Sequence, residues 1–207
     1  MRRASIWSDG GTPQRPWGTA GFTLLELLLS IGIGVAITTI SIPLTNRIVD
    51  EIRAAGAARY VAARIMRIRL EAVRQSRAVA LRFVKEGDDY VYTAYADGNG
   101  NGIRTADIQA GIDQPLGPPE RIGDTFPGVR FVLDVGLPDV DGAKSTDPDG
   151  VRIGQAGILT MARDGTATSG TLYVRGRGGQ YAVRVLGATG RTRVLMFAMG
   201  AATWRDQ

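Results

Sequence analysis

The longest hydrophobic pattern in the sequence begins at Phe22. The stretch 22–44 has 23 residues, of which only Glu26 is ionisable, and a helix of this length covers about 35 Å, enough for a bilayer core of roughly 30 Å. We expect Pro43 to bend this helix rather than end it, because membrane helices tolerate the lost hydrogen bond. Apolar residues then recur every three or four positions, which predicts that the helix continues to about Ser76 with one apolar face. The residues of this face are Ile48, Ile52, Ala55, Ala58, Ala62, Ile65, Ile68 and Ala72.

Beyond the helix, hydrophobic and polar residues alternate, and this period of two is typical of strands. The runs 79–84 and 90–95 flank Gly87 and Asp88 and predict a hairpin. A helix followed by strands indicates an α+β fold, in which the long N-terminal helix packs on an antiparallel β-sheet globule. A further candidate strand is 129–135, and an antiparallel meander is predicted from Gly157 onward by runs between glycine-containing turns, at 158–162, 171–175, 181–186 and 193–198.

Glu26 is the residue of the apolar stretch that requires an explanation. A cleaved signal peptide would have a shorter apolar region without an acid, followed by a small-residue cleavage site, and no Ala-x-Ala directly follows this stretch. A plain membrane anchor would leave the carboxylate unexplained. Because a carboxylate in hydrocarbon is costly unless it finds a partner, Glu26 indicates a functional role.

The residues around this acid resemble a known processing site. The segment 21–26, Gly-Phe-Thr-Leu-Leu-Glu, follows a basic segment and is similar to the cleavage site and leader of type IV prepilins. The resemblance implies that a prepilin peptidase cuts after Gly21 and N-methylates Phe22. It also implies that Glu26 pairs with the new amino terminus of a neighbouring subunit during assembly. Such a pair is physically reasonable, since a buried carboxylate is tolerated when an ammonium group lies beside it.

The net charge of +5 is unevenly distributed along the chain. The segment 45–85 has ten basic and three acidic residues, 86–150 has four basic and thirteen acidic residues, and 151–207 has eight basic and two acidic residues. The chain therefore consists of a basic helix, acidic loops and a basic tail. It contains no Cys and no His, which excludes disulfides, thiolate nucleophiles and histidine acid–base catalysis. Ser169 thus has no histidine to activate it, and we expect no enzymatic activity.

The carboxy-terminal half resembles one family of pilin-like proteins. The segments 163–173 (RDGTATSGTLY) and 181–187 (YAVRVLG) are similar to the GspH/FimT family of minor pseudopilins. The resemblance implies a pilin-like fold and a minor pseudopilin of a type II secretion system. The alternative is a FimT-like minor pilin of a type IV pilus that binds DNA during natural transformation. A membrane-anchored structural protein that forms no filament is a third hypothesis.

These features predict four segments. They are the prepilin leader 1–21, the transmembrane half of the long helix 22–44, its amphipathic half 45–77, and a globular antiparallel β domain of GspH/FimT type 78–207. We expect a single pass through the inner membrane with the globular domain in the periplasm, because the basic leader agrees with the cytoplasmic excess of basic residues. The expected partners are the prepilin peptidase and other pseudopilins or pilins, which would contact the N-terminal helix.

The segment 190–193, Gly-Arg-Thr-Arg, is a candidate DNA-binding site. It is similar to the Gly-Arg-x-Arg motif associated with DNA binding in the FimT branch. On a strand, Arg191 and Arg193 point to the same face, where two guanidiniums can bind successive phosphates without reading the base sequence. Surface arginines without a ligand, or arginines paired with the acidic loops, remain the alternatives. Three further arginines add to the charge of this region: Arg175, Arg177 and Arg184.

The loop 97–102, Asp-Gly-Asn-Gly-Asn-Gly, is a candidate calcium site. Asp97, Asn99 and Asn101 offer oxygen ligands at alternate positions before a glycine, as a calcium loop requires. The acid expected at position twelve of an EF-hand comes one residue early, at Asp107. A solvated, turn-rich loop is the alternative, and the same two hypotheses apply to the second acidic cluster, Asp139, Asp141, Asp147 and Asp149.

Overall fold

The computed structural model describes residues 21–154, 156–198 and 200–207, and for residues 38–48 it describes the backbone alone. The predicted leader, apart from Gly21, lies outside these residues. By its internal contacts the chain divides into two units, with the boundary between Ile42 and Pro43. Within the described residues, no helix combines the length and the apolar character that crossing a membrane requires. The transmembrane assignment of 22–44 stays a prediction.

The long N-terminal helix, α1, runs from Leu24 to Gln75, so its predicted end near Ser76 is confirmed. The chain turns out of the helix at Ser76, which has a left-handed backbone with φ 52°. The N–H of Ser76 donates to the carbonyl of Val73, and the N–H of Arg77 donates to the carbonyl of Ala72, both at 3.2 Å. This pair of bonds is a Schellman motif, which satisfies carbonyls that the helix end would otherwise leave free.

The remaining elements follow α1 within the second unit. The longer strands are β1 and β2, β7, β8 and β9, and short strands and helices lie between them. In chain order the elements are β1 Val79–Glu86, β2 Asp89–Ala96, α2 Thr105–Gln109, β3 Gln114–Pro115, β4 Glu120–Arg121, α3 Ile122–Thr125, β5 Val151–Ile153, β6 Ile158–Met161, β7 Gly170–Gly176, β8 Gly179–Leu186, β9 Arg191–Phe197 and β10 Arg205–Asp206.

The first sheet is antiparallel and has the strand order β3-β2-β1-β6, with β4 also pairing with β2. The predicted β1–β2 hairpin is confirmed, since Glu86 pairs with Asp89 across the turn. The predicted meander is wrong at its first strand, because β6 pairs with β1 through Val79 and Met161 instead of with β7. A turn signal marks where a strand ends but not which strand it joins, and the joining partner here is about eighty residues away.

The second sheet is antiparallel and has the strand order β10-β9-β8-β7-β5. Its three central strands confirm the rest of the predicted meander, since β7 pairs with β8 and β8 pairs with β9. The short strands β5 and β10 were not predicted. The fold class is therefore α+β, as expected, but with two antiparallel sheets.

The segment 129–135 does not form the predicted strand. It makes isolated bridges, from Arg130 to Arg175 and from Val132 to Asp149. The alternation of hydrophobic and polar residues in this segment still predicts burial correctly, because Val129, Phe131 and Leu133 are all buried. Phe131 packs edge-on against three aromatic rings, those of Phe83, Tyr90 and Tyr92. The alternation thus predicted the buried side of the segment correctly, while the continuous ladder of a strand is absent from it.

One core holds the second unit together, and it contains residues of α1 and of both sheets. Of the predicted apolar face of α1, Ala58, Ile65, Ile68 and Ala72 are buried and Ala55 and Ala62 are partly buried. The side chain of Ile48 lies outside the described residues, and Ile52 is 65% exposed and was assigned to this face wrongly. Ala54 is the buried residue of that turn. It packs so closely against Gly176 of β7 that a Cβ atom at Gly176 would lie only 2.7 Å from the Cβ of Ala54. The helix and the sheet are in direct contact there, and only small residues fit. The buried residues of α1 are Ala54, Ala57, Ala58, Val61, Ile65, Ile68 and Ala72.

Candidate functional site

The predicted cleavage junction lies immediately before the start of α1. Residues 21–23 are not helical and are exposed, and Phe22 is 80% exposed. Thr23 is the N-cap of α1, because its Oγ1 accepts a hydrogen bond from the backbone N–H of Glu26 at 3.2 Å. Thr-x-x-Glu at a helix start is the sequence pattern of a capping box. Thr23 was missed as a cap in the sequence, although this pattern could have indicated it.

Glu26 therefore occupies the first turn of α1. Its backbone carbonyl accepts a hydrogen bond from the hydroxyl of Ser30 at 2.7 Å. Among the described residues, we find no hydrogen bond or ion pair made by its carboxylate. A carboxylate in the first turn is stabilised by the positive end of the helix dipole. The structure thus leaves the Glu26 side chain exposed at the end of the helix where negative charge is favoured.

The first turns of α1 present apolar side chains to the surroundings. Leu24 and Leu25 are both more than three-quarters exposed, and Leu27, Leu28, Leu29, Ile31 and Ile33 are more than half exposed. They lie on all sides of the helix, since consecutive positions are 100° apart. Contiguous exposed apolar surface of this kind marks a region that contacts lipid or other protein chains.

The glycine of the candidate DNA-binding segment has a structural role. Gly190 ends the turn between β8 and β9 with φ +60°. A Cβ atom at this position would clash with the carbonyl oxygen of Gly165 and lie 2.8 Å from Nε of Arg69. Arg69 of α1 donates from the same Nε to the Gly165 carbonyl at 3.0 Å. Gly190 is therefore required by packing between the helix and two turns, and no local sequence signal indicated this contact.

Arg191 and Arg193 are both exposed on β9, and their side chains share a face as predicted. Arg193 donates to both carboxylate oxygens of Asp206, from Nε at 3.2 Å and from Nη2. This hydrogen-bonded pair raises the pKa of Arg193 above its usual range. In the described part of the chain, the Arg191 side chain has no ion pair. The two arginines of the motif therefore differ: one is neutralised and one is available.

The other candidate arginines also differ in their partners. Arg184 donates to Asp141 at 2.6 Å, and Nε of Arg175 lies 2.9 Å from Asp134. Arg177 is exposed, and no ion pair of its side chain occurs within the described ranges. Three of the five arginines are thus paired with aspartates of the chain, which is one of the alternatives that the sequence left open.

Two of these paired arginines, Arg184 and Arg193, belong to a row that crosses the second sheet. Arg152 of β5 faces Thr171 of β7, Thr171 faces Arg184 of β8, and Arg184 faces Arg193 of β9. Directly opposed residues in a sheet project to the same side. Three arginines therefore lie on one face of the sheet, each with its own aspartate.

The segment 134–149, which we call the acidic loop, supplies most of these aspartates. It contains five aspartates and one lysine. The carboxylate of Asp139 lies 3.3 Å from Arg152 and also accepts the N–H groups of Asp141 and Ala143 at 2.9 Å. Trp204 donates from its indole to the carbonyl of Pro138 at 2.9 Å. The acidic loop is therefore attached to the sheet by ion pairs and by a hydrogen-bonded aromatic ring.

A cleft of about 450 Å³ lies between the acidic loop and the second sheet. Arg152, Tyr173 and Arg184 line it together with Asp139 and Asp141. Arg152 lies over the Tyr173 ring at 5.3 Å from its centroid and donates to Oγ of Ser145 at 2.8 Å. Burial, the largest cause, raises the pKa of Tyr173, so its hydroxyl is neutral at physiological pH. Arg152 is therefore held in place by its contacts with the Tyr173 ring and the Ser145 hydroxyl.

The calcium site predicted at Asp97, Asn99 and Asn101 stays a prediction, and the structure shows how the loop that carries these residues is held. The buried carboxylate of Asp97 accepts backbone N–H groups of Asn99, Gly100 and Gly102, and buried Asp113 accepts those of Gly98 and Arg104. Backbone N–H donors thus use part of the acceptor capacity of both carboxylates. Across the described ranges, no three acidic side chains are grouped to hold a metal ion. Asp107 has a buried Oδ2 without a hydrogen bond, but it lies outside this arrangement of bonds.

A second polar network joins α1 to the first sheet, and the sequence did not indicate it. Arg64 pairs with Glu120 of β4, and the Tyr60 hydroxyl donates to the same carboxylate at 3.2 Å. Burial, followed by the charge of Glu120, raises the pKa values of Tyr60 and Tyr92. The network holds the edge of the first sheet against the helix.

Of the comparisons with known proteins, the one with solved structures finds a match. No protein-family model matches the sequence, and the comparison with curated protein sequences finds no match. Among solved structures, the chain is similar to the minor pseudopilin EpsH from the Type 2 Secretion System of Vibrio cholerae, with a TM-score of 0.43 and 17% identity. The similarity covers 72% of this chain and 99% of that chain. At this identity the likeness concerns the fold alone.

Proposed function

We propose that this chain is a minor pseudopilin of a type II secretion system, matured by cleavage after Gly21 and by methylation of the new amino group of Phe22. The observation that carries the proposal is the arrangement at the start of α1. An exposed, non-helical junction directly precedes a capped helix with an acid in its first turn, and the carboxylate of this acid has no partner among the described residues. A peptidase needs an accessible bond outside regular helix, and the Gly21–Phe22 bond meets both requirements.

The chemistry of the new amino terminus explains why an acid is needed in the first turn. Cleavage places an ammonium group beside the N-terminus of α1, where the helix dipole disfavours positive charge. Methylation leaves this positive charge in place. A carboxylate nearby compensates it, and a buried ion pair between Glu26 of one subunit and Phe22 of the next would align the two helices. The apolar surface of the first turns of α1 would then be covered by lipid before assembly and by other helices after it.

This proposal also includes the location and the partners of the chain. The first half of α1 would hold the protein in the inner membrane in a single pass, with the globular unit in the periplasm. The prepilin peptidase would process it there, and other pseudopilins would pack against α1 in the filament. A secretion role is favoured over DNA binding because three of the five candidate DNA-binding arginines are neutralised by aspartates of the chain.

Mass spectrometry of the chain purified from cells that contain the peptidase tests the processing. We expect a mature chain that begins with methylated Phe22, and an unprocessed chain when Gly21 is replaced in Gly21→Val. The matched control is Gly18→Val, which changes a glycine of the predicted leader and should be processed normally. A wild-type chain that retains its leader in cells with an active peptidase would contradict the proposal.

The second candidate function is DNA capture by a minor pilin of a type IV pilus, and one observation favours it. Arg191 is exposed, has no ion pair in the described part of the chain, and shares a face with Arg193. Arg191→Ala with Arg193→Ala should remove salt-sensitive binding of the full chain to duplex DNA. The matched control is Arg53→Ala with Arg74→Ala, which removes two ion-paired arginines of α1 and the same charge. Absence of binding by the wild-type chain at low salt would exclude this function.

A further inference from the structure

Arg184 and Arg193 lie directly opposite each other on β8 and β9. Opposed side chains have Cβ atoms about 5 Å apart, and like charges at such positions destabilise the pair. Asp141 neutralises Arg184, and Asp206 neutralises Arg193. The two aspartates therefore supply the negative charge that this pair of arginines requires.

These two ion pairs are exposed to solvent. The exposed fractions of the side chains are 69% for Asp141, 56% for Asp206, 54% for Arg193 and 32% for Arg184. Exposed ion pairs contribute little to stability, because water and salt screen them. Another anion can therefore replace either aspartate at low cost.

The third ion pair of the row is of a different kind. Asp139 is largely buried beside Arg152, and its carboxylate also accepts two backbone N–H groups of the acidic loop. Arg152 is held in addition by Ser145 and by the Tyr173 ring. Removing Asp139 would break the turn of the loop, so exchange is confined to the end of the row at Arg184 and Arg193.

Arg191 lies at this same end of the row. It is two residues from Arg193 on the same face of β9 and has no ion pair in the described ranges. Its diagonal distance from Arg184 is about 7–8 Å in Cα positions. One available guanidinium thus lies beside two that are occupied by exchangeable aspartates.

Building on the second candidate function, we propose that Asp141 and Asp206 occupy the phosphate-binding positions of Arg184 and Arg193, so that the free chain masks its own DNA-binding surface. A first phosphate binds Arg191, and neighbouring phosphates of the same strand then displace the two aspartates. Binding uses the sugar–phosphate chain and is independent of base sequence.

The proposal predicts a specific dependence on salt. A phosphate that binds a free arginine releases about 0.9 counterion from DNA. In those complexes in which an aspartate keeps its arginine, that arginine contacts no phosphate and releases no counterion. Removing the two aspartates should therefore increase both the affinity and the steepness of its decrease with salt.

The test compares the wild-type full chain in neutral detergent with Asp141→Asn plus Asp206→Asn, using a labelled short DNA duplex. We expect the variant to bind at least about tenfold more tightly at low salt, and log K to fall more steeply with log salt by up to about 0.9 for each unmasked arginine. Adding Arg184→Gln to the variant should reverse about half of this gain. The single variants Asp141→Asn and Asp206→Asn should each show part of the gain in affinity of the double variant.

The matched control is Asp88→Asn plus Asp124→Asn, which changes the net charge equally at two exposed aspartates that have no ion pair in the described residues. An equal increase in affinity for this control would overturn the proposal, since net charge alone would then explain the effect. Binding by the wild type with no gain in the unmasked variant would also overturn it, while the DNA-binding function would stand. Absence of binding by the wild-type chain at low salt would exclude the DNA-binding function and overturn the proposal with it. Circular dichroism of each variant verifies that it is folded.

Discussion

The hydroxyl oxygen of Thr23 accepts a hydrogen bond from the backbone N–H of Glu26, at 3.2 Å. This bond places the start of α1 two residues after the predicted cleavage junction. Glu26 therefore acts through two separate groups. Its backbone N–H takes part in the cap of the helix, and its carboxylate makes no bond among the described residues. The two groups can therefore be tested separately.

The charge of Glu26 is tested by Glu26→Gln. Glutamine can still occupy the third position of a capping box, so the helix start should be preserved while the negative charge is lost. We expect cleavage and methylation to continue and incorporation into filaments to be abolished, measured in sheared filaments by immunoblotting. Normal incorporation of this variant would show that the carboxylate has no role in assembly.

The cap itself is tested by Thr23→Ala. Loss of an N-cap side chain costs about 1 kcal/mol of local helix stability. We expect faster amide hydrogen exchange in the first turn of α1, whereas filament incorporation should decrease less than in Glu26→Gln. If Thr23→Ala abolishes incorporation as well, the geometry of the helix start and not the charge of Glu26 is what assembly requires.

Gly190 should be intolerant of any side chain. In Gly190→Ala, the new Cβ would clash with the Gly165 carbonyl and crowd Arg69, in addition to the cost of a left-handed backbone. We expect a loss of at least about 2 kcal/mol in the free energy of unfolding. The control is Gly87→Ala, which has a similar φ of +62° but open space around it, and should lose only about 1 kcal/mol. Equal losses in denaturant unfolding would contradict the packing argument.

Ser76 adopts a left-handed conformation that suits glycine better. Ser76→Gly should raise the free energy of unfolding by up to about 1 kcal/mol, because relief of the Cβ contact exceeds the entropy cost of glycine. Ser76→Val should lower it, since a β-branched residue is strained there. Denaturant unfolding of both variants measures the two changes, and a destabilised Ser76→Gly would contradict the interpretation.

Five tyrosines should make the fold sensitive to alkaline pH. Burial, the largest cause for each, raises their pKa values above the ordinary value of 10.0; they are Tyr60, Tyr90, Tyr92, Tyr173 and Tyr181. Above pH 10 the unfolded chain loses protons that the folded chain retains, so stability is complete below pH 10 and falls as the pH rises. We expect tyrosinate absorbance to appear together with the loss of the circular dichroism signal. Full tyrosine ionisation in a chain that is still folded would contradict this.

Local pattern was sufficient for several elements. Periodicity and turn residues predicted the end of α1, the β1–β2 hairpin and the order of β7, β8 and β9. Helices and hairpins can be predicted in this way because they depend on contacts between residues close in sequence. The side of the helix that is buried was predicted less well. Ile52 was assigned to the buried face, whereas the close approach of Gly176 selects Ala54.

Contacts between residues far apart in the sequence could not be predicted from local pattern. Nothing near Ile158 indicates that β6 joins β1, and nothing near Asp206 indicates that it pairs with Arg193. Likewise, the alternation in 97–102 suggested oxygen ligands for calcium, whereas the folded loop directs backbone N–H groups at Asp97. In each case the outcome depends on which distant groups the fold brings together.

The amino-acid order alone determined the apolar N-terminal stretch with its one acid, the length of the helix and the uneven charge of the segments. These are properties of neighbouring residues and need no knowledge of the fold. Tertiary structure alone decided that the acidic loop lies over the basic second sheet, so that Arg152 and Arg184 are neutralised by Asp139 and Asp141. The reason is that Coulomb energy depends on distance in space, and distance in space is set by the packing of the two sheets and the helix around one core.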